Sequence, residues 1–315
     1  MWKHIRKLLE MIRFSHTLFA LPFALMAAVM AWETPLPEEW GDLTPVRFRW
    51  LDLIGVLVCM VGARSAAMAF NRWADRLIDA RNPRTRQRHL PSGQLTVATV
   101  VWFTVATALL FIGGTCLFLP NWLPLAISIP VLGVVFGYSY AKRFTPLAHF
   151  WLGIALMLAP VCTWLAIRGL VVIQQPGDLS PAIFLGLAVF FWVAGFDIIY
   201  ACQDVEFDRA AGLRSVPVWL GVRGALNCAA ICHGLMLGML VLLPLAPAWF
   251  GSEFQLGWIY WTAVVVVLVL LIYEHSLVRP DDLSRMNVAF FHVNAVVSLG
   301  LLAAIMADVY CGRQS

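Results

Sequence analysis

The amino-acid sequence predicts an all-α protein that crosses a membrane several times. Hydrophobic residues make up 61% of its 315 positions and charged residues only 13%, and the mean hydropathy is +0.80. Soluble domains carry about 25% charged residues. The apolar residues fall in continuous runs rather than alternating patterns. Because backbone groups in lipid must pair with each other, such runs are expected to form helices.

Nine apolar runs are long enough, at about 20 residues each, to cross a hydrocarbon core. They cover residues 16–32, 52–71, 97–119, 122–141, 147–168, 182–202, 222–247, 256–274 and 288–310. No Gly/Ser-rich linker or low-complexity tract separates them. The sequence therefore predicts a single membrane domain, residues 1–315, built from nine transmembrane helices.

The distribution of basic residues predicts the orientation. With the N-terminus in the cytoplasm, 17 Lys and Arg residues lie inside, Arg64 lies within a helix, and four lie outside, namely Arg47, Arg49, Arg168 and Arg313. The positive-inside rule then predicts a cytoplasmic N-terminus, an external C-terminus, and cytoplasmic loops at 72–96 and 203–221. Because topology accounts for the net charge of +4, we expect no nucleic-acid partner.

The first 15 residues differ from the nine runs. Apolar and basic residues alternate there at helical spacing, in the stretch "WKHIRKLLEMIRF". This pattern is typical of an amphipathic helix at a membrane surface, so residues 1–15 are expected to form an interfacial helix. We recognise no transit peptide in the sequence, and together with the predicted orientation this favours an integral protein of a bacterial cytoplasmic (inner) membrane.

Two acidic motifs follow apolar runs on the predicted cytoplasmic side. Asp75 and Asp79 are four residues apart, and Asp204 and Asp208 repeat that spacing. On a helix, residues four apart share a face at about 5–6 Å, so paired carboxylates repel unless a cation neutralises them. Carboxylate oxygens suit Mg²⁺, which in proteins also binds substrate phosphate. Nearby Arg and Lys side chains suit phosphate too, so the pattern predicts a lipid diphosphate site.

Solvated loop charges are the simpler explanation of each acidic pair. Asp75 could pair with Arg72 or Arg76, and Asp208 with Arg209. The spacing recurs at the ends of two apolar helices, each with a Gly/Ser stretch behind it, which suggests an internal pseudo-repeat. This recurrence favours the diphosphate site over the loop charges.

Three stretches resemble the UbiA-type intramembrane prenyltransferases. "RSAAMAFNRWADRLIDARNPRTRQRHLPSG" is similar to the first signature of that family, and "DIIYACQDVEFDRAAGLRSVP" to the second. "YSYAKRFTPLAHFWLG" is similar to its basic turn between two helices. The chain departs from the family pattern at Arg72, where Asp is common, and in "RHLPSG". Its sequence is closest to a bacterial subgroup of the family, some members of which are linked to menaquinone made by the futalosine route.

The resemblance implies a role for particular residues. Two Mg²⁺ ions would be held against the diphosphate by Asn71, Asp75, Asp79, Asp204 and Asp208. The remaining phosphate charge would meet Lys142 and Arg143, together with Arg72 or Arg76.

Arg64 and Asp197 each lie seven residues before a motif, inside a predicted helix. Arg64 would contact the acceptor carboxylate or the diphosphate, or else form an interior ion pair with Asp197. Asp197 would orient the acceptor or act as a base. Tyr200, like Tyr138, would cap the carbocation region or anchor at the interface.

The implied activity is Mg²⁺-dependent transfer of a polyprenyl group from its diphosphate to a 4-hydroxybenzoate-like acceptor in ubiquinone or menaquinone biosynthesis. Within the family, naphthoate, haem or chlorophyllide are alternative acceptors. A cation-coupled transporter and a non-catalytic scaffold are alternatives of other classes. The three histidines in apolar stretches are expected to be core or pore-lining residues, namely His149, His233 and His292.

Overall fold

The protein is a helical bundle in a computed structural model, and the described residues contain no β-strand. The structure describes residues 2–12, 20–36, 46–250, 254–283, 285–286 and 288–311. Eight of the described helices are long and apolar enough to cross a membrane. They are α3 Trp50–Ala74, α5 Val97–Thr115, α6 Leu123–Ala141, α7 Ala148–Gln174, α8 Ser180–Ala201, α10 Val216–Leu242, α12 Trp258–Leu277 and α13 Asn294–Cys311.

These eight helices match eight of the nine predicted runs, which confirms the all-α membrane fold. The remaining run, 16–32, coincides with the shorter apolar helix α2, Leu21–Glu33. Its first four residues, 16–19, lie outside the described part of the chain. The short helices are α4 Arg76–Arg81, α9 Val205–Ala210 and α11 Ala246–Phe250, and a π-helical turn covers Val288–Val293 before α13.

The first described helix, α1, covers Trp2–Met11. Met11 and Ile12 are buried in a small apolar cluster with Ala69 of α3 and Leu95 and Val100 at the start of α5. The helix therefore rests on the protein, next to the first motif loop. Its place at a membrane surface stays a prediction, and residues 1 and 13–15 of the predicted segment are outside the described residues.

The long helices form a closed ring in chain order. α3 packs on α5 and α6, and the ring continues through α7, α8, α10 and α12 to α13, which returns to α2. α2 also packs on α7. Most residues of α2 and α8 are buried, because each of these helices packs on several others: α2 on α7, α13 and α3, and α8 on α7, α10 and α2.

Glycines allow α3 and α5 to approach closely. A Cβ on Gly62 would lie 2.8 Å from the backbone nitrogen of Phe111, and one on Gly114 would lie 2.9 Å from Val58 Cγ1. Small residues at such contacts are how helices associate in lipid, where apolar burial between helices contributes little. α3 is thereby held in a fixed position, with its C-terminal end at the first acidic motif.

Arg168 is buried inside the bundle, although the sequence analysis placed it outside the membrane at the end of a run. Its guanidinium donates to both carboxylate oxygens of Asp178 at 2.6–3.1 Å and to the carbonyls of Ala31 and Thr34 at 3.1 and 2.8 Å. Trp164 Nε1 donates to the same carboxylate at 3.0 Å. α7 continues past the predicted end of the run to Gln174, so the paired Arg168 lies within the helix.

Removing Asp178 is expected to destabilise the bundle strongly. Asp178→Ala leaves a buried guanidinium without its counter-ion, which costs about 3–5 kcal/mol in unfolding free energy. Asp178→Asn, which retains an acceptor oxygen, is expected to lose less. Unfolding of the purified protein in mixed detergent micelles measures both.

The matched control is Glu10→Gln, which removes the solvent-exposed ion pair between Arg6 and Glu10. Exposed pairs contribute little, so its unfolding curve should overlay that of the wild type. An Asp178→Ala curve that also overlays the wild type would contradict a structural role for the buried pair.

Candidate active site

A cavity of about 470 Å³ opens between α3, α5, α6, α7 and α8. Six cationic side chains and five carboxylates are among the residues that line it. The anionic residues are Asp75, Asp79, Asp197, Asp204 and Asp208, and the cationic ones are Arg64, Arg72, Arg84, Arg88, Lys142 and Arg214. Both acidic motifs therefore contribute to one cavity, as the sequence analysis predicted.

The first acidic motif does not continue α3 as one regular helix. α3 ends at Ala74, Asp75 has φ −90° and ψ 1°, and α4 begins at Arg76. The chain still keeps helical hydrogen bonds across the break, because Asp75 N donates to Asn71 O at 2.9 Å and Asp79 N to Asp75 O at 2.8 Å. Asp75 and Asp79 therefore lie on approximately the same face, as predicted, but the helix is interrupted between them.

The second motif repeats this local geometry. Asp204 ends a 3₁₀ turn after α8 with φ −103° and ψ 6°, and the six-residue α9, Val205–Ala210, follows it. In both motifs the first aspartate lies at a change of helix direction, and the second lies within the next short helix. This agrees with the pseudo-repeat that the sequence suggested.

Asp75 is the most buried of the motif carboxylates, at 2% exposure. Lys142 Nζ donates to its Oδ2 at 2.5 Å, and Asn71 Nδ2 lies 3.3 Å from the same oxygen. Arg143 Nη2 is 3.6 Å from Oδ1 and donates to the carbonyl of Ala74 at 2.6 Å. The basic turn after α6 therefore neutralises the first aspartate of the first motif. These contacts replace the pairing of Asp75 with Arg72 or Arg76 that the loop-charge interpretation predicted.

The loop after α4 connects the two motifs. Arg84 forms an ion pair with Asp204, in which its Nε donates to Oδ1 at 2.9 Å, and its Nη1 donates to Tyr200 Oη at 3.1 Å. Arg88 Nη1 donates to both carboxylate oxygens of Asp79 at 2.8 and 2.9 Å. Residues 84 and 88 thus hold one carboxylate of each motif.

Burial by itself lowers the pKa of Arg84, but the hydrogen bonds and ion pair with Asp204 outweigh burial, and the net pKa is raised. The guanidinium therefore stays charged while it lies against Asp204. The sequence analysis counted Arg84 and Arg88 only as basic loop residues and did not assign them to the site. Arg84 and its partner Asp204 are 120 residues apart, so no local sequence pattern indicates their contact.

Asp197 is hydrogen-bonded to a histidine and does not pair with Arg64. His149 Nδ1 lies 2.7 Å from Asp197 Oδ2. Arg64 also lines the cavity, and its buried Nε has no hydrogen-bond partner among the described residues. The interior pair between Arg64 and Asp197 is therefore not formed. Of the two places expected for His149, the core or the lining of a pore, the structure shows the second, because His149 lies in the cavity wall.

The other predicted residues divide between the cavity and its surroundings. Arg72, Tyr138 and Tyr200 line the cavity, whereas Arg76 and Arg143 are outside the lining. Arg76 donates to the carbonyl of Trp73 at 2.9 Å, and its guanidinium lies 5.3 Å from the centre of the Trp73 ring. The structure therefore brings Arg72, and not Arg76, to the side of the cavity where Asp75 lies.

The carboxylates are suited to a divalent cation, although within the described residues no three His, Cys, Asp or Glu side chains form a ready metal site. Their oxygens are hard donors, and Mg²⁺ usually takes only one or two carboxylates along with phosphate oxygens. Asp75 Oδ1 is buried and lacks a hydrogen-bond partner in the described chain. The residues present therefore fit a cation that binds together with a phosphate ligand.

The rest of the cavity is apolar. Its lining includes Val56, Phe118, Val131 and Leu156, from α3, the end of α5, α6 and α7. Val56 and Asp75 are 19 residues apart on α3, which corresponds to roughly 28 Å along the helix axis. The cavity thus extends from the charged motifs along most of the hydrocarbon thickness.

Comparisons with known proteins agree with this geometry. The 4-hydroxybenzoate octaprenyltransferase of Methylobacillus flagellatus is 31% identical over 85% of this chain and 86% of its own length. That of Nitrosomonas europaea is 32% identical over 76% of this chain and 77% of its own length.

The solved apo structure of a UbiA homologue from Aeropyrum pernix superimposes with a TM-score of 0.77 at 29% identity, covering 93% of this chain and 98% of that one. A UbiA homologue from Archaeoglobus fulgidus, solved bound to DMAPP and Mg²⁺, shares the fold with a TM-score of 0.68 at 18% identity over 96% of this chain and 99% of its own. Residues 20–296 match the UbiA prenyltransferase family. This chain is a member of that family.

Proposed function

We propose that this integral membrane protein transfers a polyprenyl group from a polyprenyl diphosphate to a 4-hydroxybenzoate-like aromatic acceptor, with Mg²⁺ as cofactor. The observation that carries the proposal is the single cavity, in which a charged end formed by both acidic motifs continues into a long apolar end. A lipid diphosphate has the same division between a charged head and an apolar chain.

The charged end can bind a diphosphate only if further cations enter with it. Its six cationic side chains and five carboxylates nearly cancel. Three of the carboxylates already hold Lys142, Arg84 and Arg88. A diphosphate carries several negative charges, so it would meet too little positive charge by itself. The proposed metal ligands are Asn71, Asp75, Asp79, Asp204 and Asp208.

When bound, Mg²⁺ supplies positive charge that stabilises the diphosphate as the prenyl C–O bond breaks. Lys142 and Arg72 line the same end of the cavity and are placed to donate to the phosphate oxygens, with Arg84 and Arg88 from the loop. Donors fixed in this way are stronger in a dry site than in water. Tyr200, held by Arg84, lines the cavity beside this charged end.

The acceptor is proposed to bind between Arg64 and Asp197. Arg64 has an unpartnered buried Nε, and an ionised group within a membrane helix needs a partner. A carboxylate on the acceptor supplies one. The two bacterial relatives are named for 4-hydroxybenzoate, which has a carboxylate at one end and a phenolic hydroxyl at the other. Such a product belongs to ubiquinone or menaquinone biosynthesis.

The proposed orientation places the motif loops at 72–96 and 203–221 in the cytoplasm and α1 on the inner membrane surface. The excess of Lys and Arg in these loops supports it. In a bacterium the protein would then lie in the cytoplasmic membrane, where water-soluble acceptor and Mg²⁺ reach the charged end directly.

Asp75→Asn and Asp204→Asn are each expected to abolish Mg²⁺-dependent transfer. Each substitution removes one negative charge from the set that would hold the metal, while keeping the side-chain volume. Purified protein would be given labelled geranyl diphosphate, 4-hydroxybenzoate and Mg²⁺, and the prenylated acid would be quantified. Glu206→Gln is the matched control, since Glu206 is exposed on α9 between Asp204 and Asp208 and does not line the cavity. Full activity in either Asp variant would contradict the proposed site.

Arg64→Met is expected to raise the KM for 4-hydroxybenzoate by roughly 10- to 100-fold. A hydrogen bond to a charged group contributes about 1.5–3 kcal/mol, which corresponds to that range. The KM for 4-methylphenol, which lacks the carboxylate, should change little. Steady-state kinetics with both acceptors measure the difference. Equal increases for the two acceptors would mean that Arg64 does not bind the carboxylate.

Val131→Trp is expected to shorten the prenyl chain that the protein accepts. Val131 lines the apolar part of the cavity on α6, so a larger ring there fills space that a long chain would need. Transfer from dimethylallyl diphosphate should remain, and transfer from a long polyprenyl diphosphate should fall. Competition between the two donors measures the ratio. An unchanged ratio would place the prenyl chain elsewhere.

A further inference from the structure

We propose that His149 is the general base that accepts the hydroxyl proton of the aromatic acceptor, and that Asp197 positions it. This inference rests on the proposed function and adds to it a catalytic residue outside both acidic motifs. It differs from the expectation that Asp197 itself contacts the acceptor or acts as base.

The geometry of the pair gives the two residues different tasks. His149 lies near the start of α7 and is 5% exposed, while the Asp197 carboxylate is on α8. Nδ1 and Oδ2 are 2.7 Å apart. Because an ionised carboxylate can only accept, Nδ1 carries the proton, and Nε2 of the neutral ring has a free lone pair. The carboxylate thereby sets the tautomer and the ring orientation.

The second ring nitrogen is available to a ligand. His149 Nε2 is buried and has no hydrogen-bond partner among the described residues, and the residue lines the cavity. A buried polar atom left without a hydrogen-bond partner destabilises the protein. A hydroxyl group entering the cavity satisfies it. The acceptor hydroxyl supplies this bond, with its carboxylate directed to Arg64.

His233 shows that burial alone does not create such a site. It is as buried as His149, and its Nε2 also lacks a partner in the described part of the chain. Its Nδ1 lies 2.9 Å from His275 Nε2, and neither residue lines the cavity. Within the described ranges of the chain, only the pair of His149 and Asp197 combines an oriented imidazole with a place in the cavity wall.

The proton transfer completes a balanced reaction. The C1–O bond of the prenyl diphosphate breaks and its electron pair stays on the diphosphate oxygen. The ring carbon next to the hydroxyl forms the new bond to C1, while the hydroxyl proton moves to His149 Nε2, which leaves a neutral dienone. That ring carbon then loses its proton to the diphosphate. The imidazolium returns its proton to the oxygen, and the phenol and neutral His149 are restored.

The test compares acceptors whose hydroxyl groups differ in acidity. The full-length protein in detergent would receive geranyl diphosphate, Mg²⁺ and either 4-hydroxybenzoate or 3-fluoro-4-hydroxybenzoate, whose hydroxyl is more acidic and whose second ring position next to it is free. Removing a general base typically costs about 10²–10⁴-fold in rate. The rate of His149→Gln with 4-hydroxybenzoate is expected to fall by this factor. With the fluorinated acceptor its rate should fall much less, because the more acidic hydroxyl depends less on a base.

Asp197→Asn is expected to behave like His149→Gln, because an amide can donate to Nδ1 and so place the ring proton on Nε2. His233→Gln is the control for replacing a buried histidine. Any loss of stability in it should lower the rates for both acceptors equally. The ratio of the two rates should therefore equal the wild-type ratio in His233→Gln and shift toward the fluorinated acceptor in the other two variants.

Two results would overturn the inference, and only the second would also overturn the proposed function. If the wild type prenylates both acceptors and His149→Gln keeps the wild-type ratio of rates, His149 is not the base while the proposed function stands. If the wild type hydrolyses or retains geranyl diphosphate and alkylates neither phenol, the proposed function fails, and this inference fails with it.

Discussion

Charge inside a membrane protein needs a partner, and this requirement determines how the cavity is built. Asp75, Asp79 and Asp204 each hold a cationic side chain from another segment, namely Lys142, Arg88 and Arg84. These pairs connect the end of α3, the end of α6, the loop after α4 and the end of α8 around one space. An unpaired charge there would cost several kcal/mol. The ion pairs therefore organise the wall of the cavity as well as its chemistry.

The same pairs decide what the cavity can accept. Each of these three carboxylates is neutralised from within the protein, so a bare anion gains little on entry and a bare cation must displace an Arg or Lys side chain to bind them. A cation that enters together with an anion gives both members of each ion pair a new partner. The carboxylate turns to the metal, and the Arg or Lys side chain turns to the phosphate. Arg84 and Arg88 lie on a loop rather than within a helix, so these two cations can move without disturbing the packing of α3 and α5.

Hydropathy predicted the fold because lipid permits few alternatives. The repeated four-residue spacing predicted carboxylate pairs that need a cation, and the family resemblance implied that both motifs form one site. The sequence did not predict the helix break at Asp75, since spacing is nearly preserved across it. Arg84 was missed because its partner Asp204 is 120 residues away, and that distance closes only when the ring of helices is complete. For His149 the sequence left a core position and a pore-lining position open, because its hydrogen bond with Asp197 depends on how α7 packs on α8, which no local pattern encodes.

α3 borders both the apolar part of the cavity, at membrane depth, and its charged end. Its apolar part borders the cavity from Val56 onward, and its end carries Asn71 and Asp75, so one helix contacts both parts of an amphipathic ligand. The separation of roughly 28 Å along the axis is close to the thickness of a hydrocarbon core of about 30 Å. A lipid diphosphate can therefore keep its chain at the depth of the acyl tails while its head lies where the helices end. Its transfer to a water-soluble ring then requires only the ring to enter the protein, because the lipid need not leave the bilayer.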